Sequence, residues 1–180
     1  MAYSGMASIG HVAVGLAAAR SYGATDSTGK LLPRMAAWSA LALLPDADVI
    51  GFRFGIRYAD AFGHRGASHS FVFCFGLAVL LALCAAPFGA RLARLALYLA
   101  IVLVSHPLLD TLTDGGLGCA LFWPFELQRH FAPWRPIPVA PIGAAFFSDR
   151  GLRVALVELL QFLPLFGYAL WPRRMRAAER

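Results

Sequence analysis

The sequence predicts an all-α fold, a polytopic transmembrane helical bundle of about four to five helices with a long irregular extracytoplasmic loop. Two observations lead to this prediction. The chain of 180 residues is 59% hydrophobic and only 14% charged, with a mean hydropathy of +0.63, whereas soluble domains have roughly 45–50% apolar and about 25% charged residues. It also contains several long apolar runs, and since one span takes about 20 residues, we expect a single integral membrane domain covering residues 1–180.

The first two apolar runs are short for a full crossing of the membrane. Residues 6–19 are apolar apart from His11, and residues 35–50 are apolar until Asp46 and Asp48. Because a spanning helix takes about 20 residues, we expect these two helices to be tilted, partly interfacial or buried among their neighbours.

Three later runs are better candidates for spans. Residues 71–90 contain no charged residue, which predicts a transmembrane helix. Residues 95–112 and 152–171 come next, and the second of these contains one acidic residue, Glu158, and leads into a basic tail.

The connection 114–151 is rich in proline, glycine and tryptophan. Proline has no N–H to donate and fixes its own φ, so this segment is predicted to be an extended or irregular loop. Trp123, Phe131 and Trp134 are expected at the level of the lipid headgroups, where aromatic side chains are enriched.

The basic residues predict the orientation in the membrane. The sixteen Lys and Arg residues are scattered between apolar runs and do not form the stripe that binds nucleic acid, so we expect no nucleic-acid partner. Nine of the sixteen fall in the segments 20–34, 91–94 and 172–180, which the positive-inside rule assigns to the cytoplasm. The connection 114–151 then lies outside the cytoplasmic membrane.

In this topology, histidines and aspartates from separate runs fall at one level, at the outer ends of the helices. Imidazole nitrogens and carboxylate oxygens are the usual ligands of zinc and related divalent ions, so the sequence predicts a metal site there. Its candidate residues are His11, Asp46, Asp48, His64, His69, His106 and Asp110.

The spacing of these residues constrains the local backbone. His106 and Asp110 are four residues apart and share one face of a helix, although Pro107 between them disfavours helical geometry and predicts a kink or a helix start. His64 and His69 are about 140° apart on an ideal helix, so at least one of them is expected on non-helical backbone.

Several roles stay open from the residues alone. Of Asp46 and Asp48, one is expected to bind the metal and the other to support a ligand, and an aspartate that does not bind metal is the candidate general base. Arg65 is predicted to contact an anionic substrate, because its planar guanidinium matches phosphate or carboxylate. Glu158 is equally consistent with a role at the site and with an ion pair to a loop arginine.

Four segments together resemble a known family: GHVAVG around His11, LLPDAD around Asp46, HRGASHS at 64–70 and SHPLLDTLTDGG at 105–116. They are similar to the YdjM-type, LexA-regulated, membrane-bound metal-dependent hydrolases of bacterial and archaeal membranes, and they cover the first two thirds of the chain. The resemblance implies a multi-pass protein of the inner membrane and a divalent metal, with zinc as the first choice. The ligand set that it implies is His11, an aspartate of LLPDAD, His64, His69, His106 and Asp110.

A fainter similarity is to the zinc-dependent phospholipase C group, whose ligands also run in the order His, Asp, His and HxxxD. The later HxxxE of that group is missing here. We therefore expect one or two ions in place of three, with manganese or iron as alternatives to zinc.

These features give a leading hypothesis and two alternatives. The leading one is a hydrolase that uses a metal-activated water on a lipid or lipid-linked ester or phosphoester, with Arg65 and either Arg129 or Arg135 holding the headgroup. The alternatives are a transporter of divalent metal or protons and a structural or regulatory membrane protein. Transport is disfavoured because the inner halves of the predicted spans are almost purely apolar.

Overall fold

The computed structural model describes residues 4–6, 8–23 and 28–171, and this part of the chain is a bundle of α-helices, as predicted. The predicted basic tail, 172–180, lies outside the described residues. The helices are α1 (Ser8–Tyr22), α2 (Thr28–Ala42), α3 (Phe71–Ala85), α4 (Leu92–Thr111), α5 (Asp149–Gln161) and α6 (Leu163–Leu170), and two short strands, β1 (Ser4–Met6) and β2 (Ala140–Pro141), pair antiparallel.

Two segments, Phe71–Phe88 and Leu92–Thr111, are long and apolar enough to cross a membrane, with mean hydropathies of 2.5 and 1.9. Helix α3 begins at a cap in which Ser70 Oγ accepts a hydrogen bond from the Phe73 N–H, and many of its large apolar side chains are exposed. An exposed apolar helix face is stable in contact with lipid. The prediction of spans in these two regions is confirmed.

Helix α1 is enclosed by the other helices. It contacts α2, α4, α5 and α6, and no residue from 9 to 22 is exposed. Gly15 allows the closest approach, because a Cβ there would lie 2.5 Å from the Ser39 Cα of α2. Small residues permit such contacts between membrane helices, so this short helix is buried among its neighbours, one of the three arrangements expected.

The predicted span over 152–171 is a bent pair of helices, α5 and α6, which meet at an angle of 66° and together are long and apolar enough for a broken span or a re-entrant loop. Pro164, which lies near the start of α6, cannot donate the hydrogen bond that would continue α5. The run 35–50 is also bent, by 52°, where α2 gives way to the 3₁₀ segment Leu44–Phe54 at Pro45. In contrast, α4 passes through Pro107 as one helix, so no helix starts there, although a helix start was one of the two outcomes expected.

The connection between α4 and α5 is irregular, as predicted, apart from β2 and a short 3₁₀ segment, Gly143–Phe147. It covers the end of the bundle where α1 begins and α4 ends, since β2 pairs with β1 just before α1. At the opposite end, Arg94 lies over the Tyr22 ring at 5.0 Å, and the Tyr22 and Tyr98 rings are 5.4 Å apart.

Candidate metal centre

The predicted site residues meet at the end of the bundle that the irregular loop covers. They come from the first turn of α1, the 3₁₀ segment after α2, the segment 64–69 and the last turns of α4. Seven of them are buried and Asp48 is partly buried. The buried ones are His11, Asp46, His64, Arg65, His69, His106 and Asp110.

Four of these residues each offer one ligand atom within 4.8 Å of the other three: Asp46, His69, His106 and Asp110. Asp46 Oδ1 lies 3.3 Å from His106 Nε2 and 3.4 Å from His69 Nε2. Asp110 Oδ2 lies 3.4 Å from His69 Nε2, and the two histidine Nε2 atoms are 3.1 Å apart. Two imidazoles and two carboxylates form a donor set that zinc accepts.

The hydrogen bonds on the far side of both imidazoles determine their tautomers. His106 Nδ1 lies 2.6 Å from the Ala42 carbonyl, which can only accept, so Nδ1 carries the proton. His69 Nδ1 lies 3.2 Å from Asp48 Oδ2 and 2.9 Å from Ser68 Oγ, and a carboxylate likewise favours a proton on Nδ1. Both Nε2 atoms then direct lone pairs into the group, the orientation that metal-binding histidines adopt.

The charges of the group suit a bound cation. Both oxygens of Asp46 are buried without a hydrogen-bond partner among the described residues, and Asp110 Oδ2 forms an ion pair with Arg65 Nε at 2.9 Å. The three carboxylates of Asp46, Asp48 and Asp110 exceed the single charge of buried Arg65 by two. Because buried charges are costly unless they are compensated, and because lone pairs of the imidazoles face the carboxylates, these residues fit one divalent ion.

Asp46 and Asp48 differ in their hydrogen bonds. Asp48 Oδ1 lies 2.7 Å from His64 Nδ1, and its Oδ2 accepts from Ser68 Oγ at 2.5 Å and from the Arg65 N–H at 3.1 Å. Among the described residues Asp46 has no such donors, so Asp46 is the better ligand candidate and Asp48 the better candidate for a supporting residue. Asp48, His64 and His69 also form a second group with metal-ligand spacing, which shares His69 with the first.

His11 contacts the four-residue group from one side. Its Nε2 lies 3.4 Å from Asp110 Oδ1, and its ring stacks on that of His106 at 3.7 Å with an angle of 15° between planes. Its position is therefore set by two residues of α4. The role of His11 as a direct ligand stays a prediction.

Arg65 lies behind Asp110. Its Nε is 2.9 Å from Asp110 Oδ2, and its Nη1 donates to Thr113 Oγ1 at 2.9 Å and to the Gly115 carbonyl at 3.2 Å. Its Nη2 has no hydrogen-bond partner in the described part of the chain. Arg65 thus holds the Asp110 carboxylate and the loop after α4, and its contact with an anionic substrate stays a prediction.

Two residues contribute in ways that sequence reasoning missed. Ser68 bridges Asp48 and His69, although its hydroxyl has no distinguishing spacing in the sequence. Arg129 donates to the His64 carbonyl at 2.8 Å and to the Tyr58 carbonyl at 2.9 Å. Because these bonds occupy its guanidinium, Arg129 holds the segment that carries His64, and the expectation that it holds a headgroup is not supported.

Glu158 was expected either at the site or in an ion pair with a loop arginine, and its hydrogen bonds are to neither. Its Oε2 accepts hydrogen bonds from the Ile9 and Gly10 N–H groups, at 2.9 and 3.0 Å. It therefore contacts the backbone of α1 immediately before His11.

Cys119 lies near the site but does not fit a ligand role. It belongs to neither group of residues with metal-ligand spacing, and burial raises the pKa of its thiol to about 12.

Comparisons with known proteins point to one family. The family model described as "YdjM inner membrane protein" matches residues 6–175. The chain is 44% identical over 140 residues to "Inner membrane protein YbcI" of Escherichia coli (strain K12), an alignment that covers 74% of this chain and 81% of that protein. No solved structure matches the chain.

Proposed function

The chain belongs to the YdjM family of inner membrane proteins, and on that premise we propose that it is a membrane-embedded, divalent-metal-dependent hydrolase of a lipid or membrane-associated ester or phosphoester. The observation that carries the proposal is the buried group Asp46, His69, His106 and Asp110, whose ligand atoms lie within 4.8 Å of one another.

These four residues would hold the ion. Zinc is the first candidate for a site of two nitrogens and two carboxylates, and manganese or iron also accept such ligands. A bound divalent ion supplies Lewis acidity and lowers the pKa of water at the site. One ion per chain is favoured, because His69 has Nε2 in the first group and holds Asp48 with Nδ1.

The other residues of the site position ligands and protons. Asp48 holds His69 Nδ1, which aims Nε2 at the ion. Asp48 and His64, 2.7 Å apart, form a carboxylate–imidazole pair that can accept a proton from water, as a general base does. Arg65 offers Nη2 to an anionic group of the substrate, which favours a phosphoester or a lipid with an anionic headgroup.

A membrane-borne substrate is supported by the apolar surface beside the site. The Phe122 ring lies 5.7 Å from that of Phe71, the first residue of α3, and the Phe62 and Trp123 rings are also 5.7 Å apart. Phe125 in the same turn is 86% exposed. The lipid-facing surface of α3 thus continues onto the loop next to the site, as expected where aromatic residues lie at the membrane interface.

We assign the site to the extracytoplasmic face. The support is the excess of Lys and Arg that the sequence has in the segments 20–34, 91–94 and 172–180, together with the position of Arg94 and Tyr22 at the end opposite the site. Basic residues in short loops favour the cytoplasmic side.

The distribution of polar groups favours hydrolysis over transport. A transport path needs polar positions through the depth of the membrane. Within the described residues, the buried charged groups and imidazoles gather at the site end, whereas the hydrophobic core cluster is formed by residues such as Ala78, Leu99 and Val102.

The test is lipid hydrolysis by the purified full-length chain in nanodiscs of bacterial lipid extract, with products followed by mass spectrometry. We compare protein stripped by chelator with protein reloaded with Zn²⁺, and Asp46→Asn with the control Asp60→Asn, which changes an exposed pair with Arg57. We expect hydrolysis only with metal and a loss of more than about 100-fold in Asp46→Asn, with Asp60→Asn active. Unchanged hydrolysis by the stripped protein would contradict the proposal, as would a folded wild type that binds no divalent ion.

A further inference from the structure

Glu158 joins the last turn of α5 to the first turn of α1. It is fully buried, and its Oε2 accepts from Ile9 and Gly10, which belong to the first turn of α1. The first N–H groups of a helix have no partner within the helix, and the helix dipole favours a negative charge there. A carboxylate from α5 therefore caps α1 within the protein interior.

The same corner is held by a second contact. Phe162 lies between α5 and α6, one turn after Glu158, and its N–H donates to the Glu158 carbonyl at 2.9 Å. A Cβ on Gly10 would lie 2.6 Å from the Phe162 ring. The region where α5 meets α6 thus contacts the first turn of α1 through the Glu158 carboxylate and the Phe162 ring.

His11 directly follows Ile9 and Gly10, the two residues held by these contacts. Its imidazole projects from the same turn to Asp110 Oδ1 at 3.4 Å and stacks on His106. Asp110 and His106 both belong to the metal-binding group. A shift of the first turn of α1 would therefore move the imidazole away from two of the groups that would hold the ion.

We propose that Glu158 is a positioning residue for the metal centre, and that it acts by fixing the first turn of α1 so that His11 holds Asp110 and His106. This inference rests on the proposed function, because it assumes that the site binds a divalent ion. Glu158 itself belongs to neither group of residues with metal-ligand spacing. Its effect is transmitted by the backbone from Ile9 and Gly10 to His11.

The experiment measures Zn²⁺ affinity of the full chain in detergent by competition with a chromophoric chelator, in a double-mutant cycle. Glu158→Ala is expected to lower the affinity about tenfold or more, as loss of a supporting partner does. In the His11→Ala background the same substitution should change the affinity by less than about twofold, because coupled residues are non-additive. An equal loss in both backgrounds would overturn the proposal.

A conservative variant separates positioning from charge. Glu158→Gln keeps an oxygen that accepts from the Ile9 and Gly10 N–H groups, so we expect an affinity within about threefold of the wild type. A loss as large as that of Glu158→Ala would contradict a hydrogen-bonded positioning role.

A pair of glycine variants decides the case if Glu158→Ala does not fold. Gly10→Ala places a methyl group against Phe162, whereas Gly167→Ala in α6 meets nothing within 4 Å. We expect Gly10→Ala to lower Zn²⁺ affinity only when His11 is present, and Gly167→Ala to leave it unchanged. Equal affinities for the two variants would overturn the inference.

Metal binding by the wild type distinguishes failure of the proposed function from failure of the positioning role of Glu158. A folded wild type that binds no Zn²⁺, Mn²⁺ or Fe²⁺ would refute the proposed function itself. A wild type that binds metal, with an affinity that His11→Ala does not alter, would refute only the positioning role of Glu158.

Discussion

The two ends of the helical bundle use arginine in opposite ways. At the site end, Arg65 is fully buried and lies 2.9 Å from Asp110 Oδ2. At the other end, Arg94 is exposed, lies over the Tyr22 ring at 5.0 Å and donates to the Tyr22 carbonyl. The first arginine compensates buried negative charge, whereas the second contacts aromatic rings at the edge of the bundle.

This difference indicates that burial of charge at the site end lowers the stability of the fold. A charge withdrawn from water is costly unless partners compensate it, and the site end retains more buried carboxylates than Arg65 can neutralise. The end around Tyr22 and Tyr98 has aromatic rings and exposed basic groups, which suit a membrane interface. The cost of the site end is consistent with a functional role, and the following substitutions test the contrast.

The largest effect is expected from Arg65→Gln. Removal of one partner from a buried ion pair typically lowers the free energy of unfolding by about 3–5 kcal/mol, because Asp110 would keep its charge without compensation. The matched control is Arg57→Gln, since Arg57 is 82% exposed and its pair with Asp60 faces solvent. Chemical denaturation in detergent measures both, and equal stabilities of the two variants would show that Arg65 does not compensate Asp110.

The spans illustrate what the sequence can predict about this fold. Long apolar runs located α3 and α4, because the hydrocarbon layer imposes length and composition on each span separately. The effect of individual prolines was not predictable in the same way. Pro107 lies inside α4 without ending it, while Pro164 stands at a bend of 66°, and the difference depends on how neighbouring helices pack.

The site illustrates a similar division. Its histidines and aspartates were identifiable because few chemistries place such residues in apolar runs. The separate roles of Asp46 and Asp48 were not, since two residues of spacing leave both within reach and only the donors His64 and Ser68 distinguish them. The partner of Glu158 was also hidden, because it is backbone N–H, which has no signature in sequence.

An intermediate effect is expected in the helix pair that connects the two ends. Gly15→Ala places a Cβ 2.5 Å from the Ser39 Cα, so α1 and α2 must separate, and overpacking of this kind costs about 1–3 kcal/mol. Gly76→Ala is the control, because a Cβ at Gly76 in α3 meets nothing within 4 Å. Thermal unfolding of both variants in detergent provides the comparison. If Gly15→Ala is as stable as Gly76→Ala, the close approach of α1 and α2 is not a fixed feature of the bundle.

The smallest effect is expected from Arg94→Gln. This substitution removes the contact with the Tyr22 ring and the hydrogen bond to its carbonyl, and an exposed cation–π contact contributes only about 0.5–1 kcal/mol. Arg91→Gln removes the same charge at the start of α4, but Arg91 contacts no aromatic ring in the described part of the chain, so its unfolding should change less. Zn²⁺ affinity should stay at the wild-type level in both variants, because buried apolar residues such as Leu99 and Val102 separate this end from the metal centre. A drop in Zn²⁺ affinity for Arg94→Gln comparable to that of the site variants would mean that the two ends of the bundle are energetically coupled. The contrast between the site end and the end around Tyr22 would then be incorrect.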